Sequence, residues 1–253
     1  MAITVVIINQ KGGVAKSTTA SCFGFLAARE GRRVLLCDLD PQSSLTYSFI
    51  EPERTLSSRC LSEAVAERKG LPVVNVRPNL DLVPDSLRMV VSVESMYSQR
   101  RREYVLADLL RPVASRYDLI IVDCPPSLGL LSVNALAIAD RVVVPSRADQ
   151  LSYYGLQMLC SFVGGLADIN PSVAVTDVFF TFYDPRMRLT RAVEESIRAD
   201  YGSLVMRGVV RRGVAVSEPL ADLRTVFEYK PESRVALDYV DVYREFCGRM
   251  GLE

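Results

Sequence analysis

A β-branched run from Ile3 to Ile8 leads into Asn9-Gln10-Lys11-Gly12-Gly13-Val14-Ala15-Lys16-Ser17-Thr18, and a helix-compatible stretch then lasts to Arg29. A run of this kind suits a strand buried on both faces, and the glycines after it mark a turn before a helix. Strand, glycine loop and helix bring successive backbone N–H groups and a helix N-terminus to one point. Clustered negative charge, such as a polyphosphate, is stabilised there. The spacing departs from the standard G-x-x-x-x-G-K-[ST] loop, because Gln10 and Ala15 stand where the fixed glycines are expected. If position 15 needs a positive φ, alanine costs roughly 1 to 2 kcal/mol relative to glycine. Weakened or slowed nucleotide use is the expected result.

The rest of the chain repeats the alternation. Strand-like runs recur at 3–8, 33–38, 80–84, 118–123, 140–145, 175–182 and 205–210, helix-like segments lie between them, and Glu232 to Met250 reads as a closing helix. This order predicts an α/β fold: a doubly wound, mainly parallel sheet with helices on both faces, of the Rossmann-like P-loop kind. With 253 residues, 49% of them hydrophobic, a single domain over 1–253 has ample material for a core. Glu51 to Pro78 is the least patterned stretch and reads as a mobile surface excursion.

Two strand ends carry acids. Arg33 to Asp38 ends in Asp38, with Asp40-Pro41 in a turn just beyond, and Pro41 keeps Asp40 out of helix. Asp118 to Asp123 ends in Asp123, an acid suited to holding Mg²⁺ through water. Ligands of open α/β sheets sit at such carboxyl ends.

The K-G-G-x-x-K-[ST] variant, with Asn9-Gln10 before it and Asp38-Leu39-Asp40-Pro41-Gln42 after it, resembles the ParA/Soj family of partition ATPases, relatives of MinD. Cys124-Pro125-Pro126-Ser127-Leu128-Gly129 resembles the family's second switch. The resemblance implies ATP and Mg²⁺ as ligands, bound by residues 11–18. Lys16 would contact the β- and γ-phosphates, Ser17 would give its hydroxyl to Mg²⁺, and Thr18 would bond the α-phosphate. Asp40 is assigned to the attacking water, and Asp38 to the outer shell of the metal. Lys11 would reach across a nucleotide-sandwich homodimer to the partner's phosphates. Slow hydrolysis, stimulated by a ParB-like partner, completes the expectation.

Lysine plus arginine and aspartate plus glutamate are both 30, so any attraction for nucleic acid must be local. Arginines crowd between Arg186 and Arg212, and Arg191 and Arg198, two helical turns apart, would share a face. The segment from Phe182 to Glu218 resembles the C-terminal part of Soj-type proteins, which makes Arg191, Arg198 and Arg212 candidates for nonspecific DNA contact. Three residues depart from the family pattern: Arg211 replaces a usual proline, Ala215 an arginine and Arg147 a glutamine. Arg100-Arg101-Arg102 reads as solvated surface.

No apolar stretch reaches the length of a membrane span, and the chain opens in a strand without a leader-like segment, so a cytoplasmic, nucleoid-associated protein is expected. The six cysteines lack C-x-x-C spacing and there is no histidine, which argues against zinc and for reduced thiols. Without a helix-turn-helix ahead of Ile3, the chain does not match partition ATPases that also repress their own operon. Two alternatives differ in kind. A MinD-like regulator cycling on a membrane needs a basic amphipathic C-terminal helix. A weakly hydrolysing, nucleotide-dependent DNA scaffold would bind DNA without stimulated turnover.

Overall fold

The computed structural model describes residues 2–213 and 223–252; Ala215, Ser217 and Glu218 lie outside the described residues. Eight strands are present among them: β1 (Ile3–Ile7), β2 (Val34–Asp38), β3 (Val74–Arg77), β4 (Leu80–Val83), β5 (Leu119–Asp123), β6 (Arg141–Ser146), β7 (Asp177–Tyr183) and β8 (Val205–Arg211). The α-helices are α1 (Lys16–Arg29), α2 (Pro52–Leu56), α3 (Leu61–Glu67), α4 (Met89–Met96), α5 (Val105–Leu110), α6 (Leu130–Leu136), α7 (Gln150–Gly164), α8 (Arg188–Tyr201), α9 (Val226–Tyr229) and α10 (Arg234–Met250).

All eight strands join one sheet in the order β3-β4-β2-β5-β1-β6-β7-β8, parallel except for the β3–β4 pair. Successive residues of the central strands point to opposite faces, and both faces are covered. Val6, Leu35, Cys37, Ile120 and Val122 pack toward α3 to α8. Val5, Ile7, Val34, Leu36, Leu119 and Ile121 pack toward α1, α9 and α10. Burial on both sides explains why these strands read as unbroken apolar runs. Gly24 lets α1 lie close on β2, since a Cβ there would stand 2.6 Å from Leu36 Cδ2.

The seven strand-like runs and the span of α1 match the sequence reading, and α10 begins two residues later than expected, with Ser233 Oγ accepting from the Ala236 N–H at 3.2 Å. Glu51–Pro78 is a correction to that reading. It contains α2, α3 and β3, and Cys60, Leu61, Ala64 and Val65 are buried in it.

From β1 the chain crosses to β2 on one side, whereas from β5 it crosses to β6 on the other. The crevice at this reversal, at the carboxyl ends of the strands, is where the fold places a ligand.

Candidate functional site

The glycine loop is tied from behind. Ala15 adopts the left-handed conformation, φ 64° and ψ 37°, and Gly13 has φ 67°, so the positive φ expected at position 15 is real. Thr181 Oγ1 donates to the Val14 carbonyl at 3.1 Å and Arg147 Nη2 donates to the Gly13 carbonyl at 2.8 Å. The Ala15 carbonyl accepts from Thr19, from the amide at 2.9 Å and the hydroxyl at 2.7 Å. Asn9 braces the approach, accepting from the Lys11 amide at 2.9 Å while its own Nδ2 donates to Pro145 O at 2.9 Å. With these carbonyls engaged outward, the loop's N–H groups are left for an anion. Lys16 is buried, 6% exposed, and its loop borders a cavity of about 320 Å³ lined by Gly12, Gly13, Lys16, Ser17, Thr18 and Asp40.

The two strand-end acids are brought side by side by register, Asp38 opposite Asp123. Their surroundings differ. Asp38 Oδ1 accepts from the Asp40 N–H at 3.1 Å, and Oδ2 accepts from the Thr46 amide at 2.8 Å and hydroxyl at 2.7 Å. Burial nonetheless pushes its carboxyl up to about 7, against the pull of those bonds. Asp123 is fully buried, and neither of its oxygens has a hydrogen-bond partner. Burial and the neighbouring Asp38 raise it well above the usual carboxylate range, while Ser17 and Lys16 oppose that rise. A buried carboxylate without partners, beside a serine and below a phosphate cradle, fits a bound cation. No set of three acidic, cysteine or histidine side chains forms a metal cluster among the described residues. A cation here would therefore draw the rest of its ligands from Ser17, phosphate oxygens and water.

Asp40 stands in the turn after β2, 7% exposed, with Oδ1 accepting from the Gln42 N–H at 3.0 Å and its carbonyl accepting from Ser43 N at 2.7 Å. Its side chain borders the cradle cavity, whose lining also includes Phe182 and Pro126. Lys11 points away from the loop. Its Nζ lies 2.6 Å from Asp149 Oδ2 and 3.3 Å from Ser152 Oγ, at the start of α7. Although burial pushes Asp149 up, the bonds from Lys11 and Ser152 hold it below its ordinary value.

Arg147, Thr181, Thr46 and Asp149 were not read as site residues from the sequence. Only Asp149, an aspartate three residues ahead of a serine at a helix start, carried a readable capping signal; its side chain accepts from Ser152 N at 2.9 Å. Arg147 and Thr181 act through neighbours distant in sequence, and Thr46 through Asp38 at the other end of the turn.

The arginine-rich stretch divides. Arg186 pairs with Asp184, Arg198 with Glu194 at 2.7 Å, and Arg211 with Asp238. Arg198 also lies over the Phe180 ring, 5.8 Å from its centroid. Arg191 and Arg212 are exposed and form no ion pair among the described residues. Arg212 also lines a second cavity of about 560 Å³ with Arg147, Asp149 and Phe182. The shared face expected for Arg191 and Arg198 thus holds one free cation and one engaged with its own helix. All six cysteines are free thiols, and burial pushes Cys124, beside the second switch, well above its ordinary value.

A parallel sheet whose first strand runs through a glycine loop into α1, with Asp38 and Asp123 at the ends of neighbouring strands, defines a P-loop nucleoside triphosphatase. A family profile described as an AAA domain matches residues 2–175. The chain is 31% identical to the chromosome-partitioning ATPase Soj of Treponema pallidum, with 99% of each chain covered. It is 33% identical to the sporulation initiation inhibitor protein Soj of Bacillus subtilis, covering 95% of this chain and 96% of that one. Among solved structures, a cobyrinic acid a,c-diamide synthase from Mycobacterium smegmatis with bound ADP and magnesium superposes with a TM-score of 0.83 at 27% identity, over 96% of this chain and 93% of that one. The chain belongs to the ParA/Soj family of partition ATPases.

Proposed function

We propose that the protein binds Mg-ATP in the cradle, pairs face to face with a second copy, holds DNA without reading its sequence, and lets go when a ParB-like partner stimulates hydrolysis. The cargo is a chromosome origin or a plasmid, and the setting is the cytoplasm at the nucleoid. The observation that most supports this reading is the bare, buried Asp123 beside Ser17 and beneath the loop.

Lys16 and the N–H groups of residues 12–18 hold the phosphates, with Thr18 at the α-phosphate. Ser17 and, through water, Asp123 would hold the magnesium ion, which would supply charge neutralisation at the phosphates. Asp40 orients the attacking water. Asp38 contributes from the outer shell and shapes the turn that carries Asp40, since Asp40 N and Thr46 already occupy it. Lys11 reaches the partner's phosphates only by leaving Asp149. For DNA, Arg191 and Arg212 carry the greater share, and Arg198 contributes less because Glu194 holds it.

The membrane-cycling alternative finds no support in α10. Of its apolar residues, Val235, Tyr239, Val242, Tyr243 and Phe246 are buried in the core and Leu237 is exposed, and no helix among the described residues is long and apolar enough to cross a membrane. The test is Lys11→Ala, followed by light scattering and phosphate release with Mg-ATP. Nucleotide binding should survive while ATP-dependent self-association and turnover are lost. Wild-type values for both would sink the sandwich mechanism. DNA binding that depends on ATP but never shows stimulated turnover would favour the scaffold alternative.

A further inference from the structure

We infer that Arg147 is a positioning residue of the cradle: braced on Phe182, its guanidinium holds the Gly13 carbonyl and so keeps the loop in the left-handed turn that the alanine at position 15 disfavours. The inference rests on the nucleotide reading above for its consequence, but not for its geometry.

Besides Ser43 in the Asp40 turn, with φ 56°, two non-glycine residues at this site sit in the left-handed region, Ala15 with φ 64° and Phe182 with φ 50°. Such strain persists only where the surroundings over-determine it. Arg147 links the two. Its Nη2 lies 2.8 Å from the carbonyl of Gly13, two residues before Ala15, and its Cζ stands 4.6 Å from the centroid of the Phe182 ring. The Thr181 hydroxyl, next to Phe182, takes the adjoining Val14 carbonyl at 3.1 Å. The ends of β6 and β7 thus grip two consecutive carbonyls just ahead of the strained alanine. A loop with glycine at position 15 has no such conformational penalty to offset.

The chemistry selects arginine. A planar guanidinium can lie on an aromatic face while its edge donates to a carbonyl, whereas an ammonium offers a point charge that does one or the other. Arg147 Nε is buried without a partner, so the side chain is held by the ring and the carbonyl and not by a carboxylate. Nothing about this arrangement requires the partner subunit. It acts on the free chain, before nucleotide arrives.

The test is a double-mutant cycle on the full chain with Arg147→Ala, Ala15→Gly and both together, reading the dissociation constant of a methylanthraniloyl-labelled ATP with magnesium. Arg147→Ala should weaken binding about tenfold on its own and less than about threefold alongside Ala15→Gly. Arg147→Lys should behave like Arg147→Ala; full rescue by lysine would mean that charge alone matters and would overturn the clamp. Equal losses in the two backgrounds would overturn it too. Amide hydrogen exchange across residues 11–16 of the nucleotide-free protein gives an independent reading. Arg147→Ala should speed it about five- to tenfold, and unchanged exchange refutes the clamp. A wild-type chain that binds no labelled ATP would sink the nucleotide reading alone, with the exchange measurement still deciding on Arg147.

Discussion

The cradle and the arginine surface of α8 and β8 are built on opposite principles. In the cradle the polar groups are fixed by backbone: the Gly13, Val14 and Ala15 carbonyls are each taken by a named donor, and Lys16 is buried among them. On the arginine surface the groups are long side chains, and local acids engage Arg186, Arg198 and Arg211 before any ligand arrives. A positioned backbone carries its chemistry with little reorganisation, whereas a charge count overstates what a surface can offer. The same contrast recurs at smaller scale between Asp38, saturated by its own chain, and Asp123, left bare.

The largest test of this contrast is Lys16→Ala, which removes the buried cation of the fixed region. Nucleotide affinity should fall about 100-fold or more, roughly 3 kcal/mol, by calorimetric titration; a loss below fivefold would mean that the loop does not hold phosphate as described. Next come the two acids. Asp123→Asn should cut Mg-dependent turnover by about 100-fold without lowering the melting midpoint, because the carboxyl it replaces accepts no hydrogen bond that holds the fold together. Asp38→Asn should instead destabilise the fold by about 1 to 3 kcal/mol, since asparagine keeps one acceptor oxygen and its NH2 must then face the donors of either Thr46 or Asp40. If the two substitutions gave the same pattern, the distinction between a saturated and a bare carboxylate would fail.

Smaller effects belong to the mobile side chains. Arg191→Ala or Arg212→Ala should weaken DNA retention about three- to tenfold and lower the salt slope by about one each, while Arg198→Ala does less. Equal effects of all three in a salt titration would show that the Glu194 pair is no obstacle. Smallest is the Arg33–Asp118 pair, half exposed on the far side of the sheet. Hydrogen bonds from Arg33 hold the Asp118 carboxyl down at about 2. A depressed carboxylate stabilises the fold above its unfolded value near pH 4, and that contribution disappears as pH falls toward 2. Arg33→Ala should lower the melting midpoint at neutral pH by no more than about 2 °C, with the difference vanishing on acidification.

The central strands were legible because burial on both faces writes itself as uninterrupted Val, Ile and Leu, and the strand-end acids Asp38 and Asp123 punctuate them. β3 escaped because it is a short edge strand, Val74–Arg77, half-buried and preceded by helices too brief to show a period. Residues of the loop itself could be read from their spacing. What braces the loop could not: Arg147 and Thr181 meet Gly13 and Val14 only because β6 lies between β1 and β7 in the sheet, an order that no local pattern specifies. Nor did the arginine count foresee Asp184 and Asp238, which lie just outside the basic stretch in sequence or far along the chain.

The cover over α1 comes from far along the chain. Phe23 packs against Phe246 with centroids 5.1 Å apart and against Tyr243 at 5.5 Å, and Thr19 Oγ1 is 3.3 Å from the Tyr239 hydroxyl, across 220 residues of sequence. Loop-closure entropy must be overcome before contacts of that separation give any return. During synthesis, the helix that begins at the lysine of the cradle lacks its outer neighbour until α10 has been made. A truncated or stalled product is therefore left with an uncovered α1 and a half-made hydrophobic layer, a ready target for quality-control proteases.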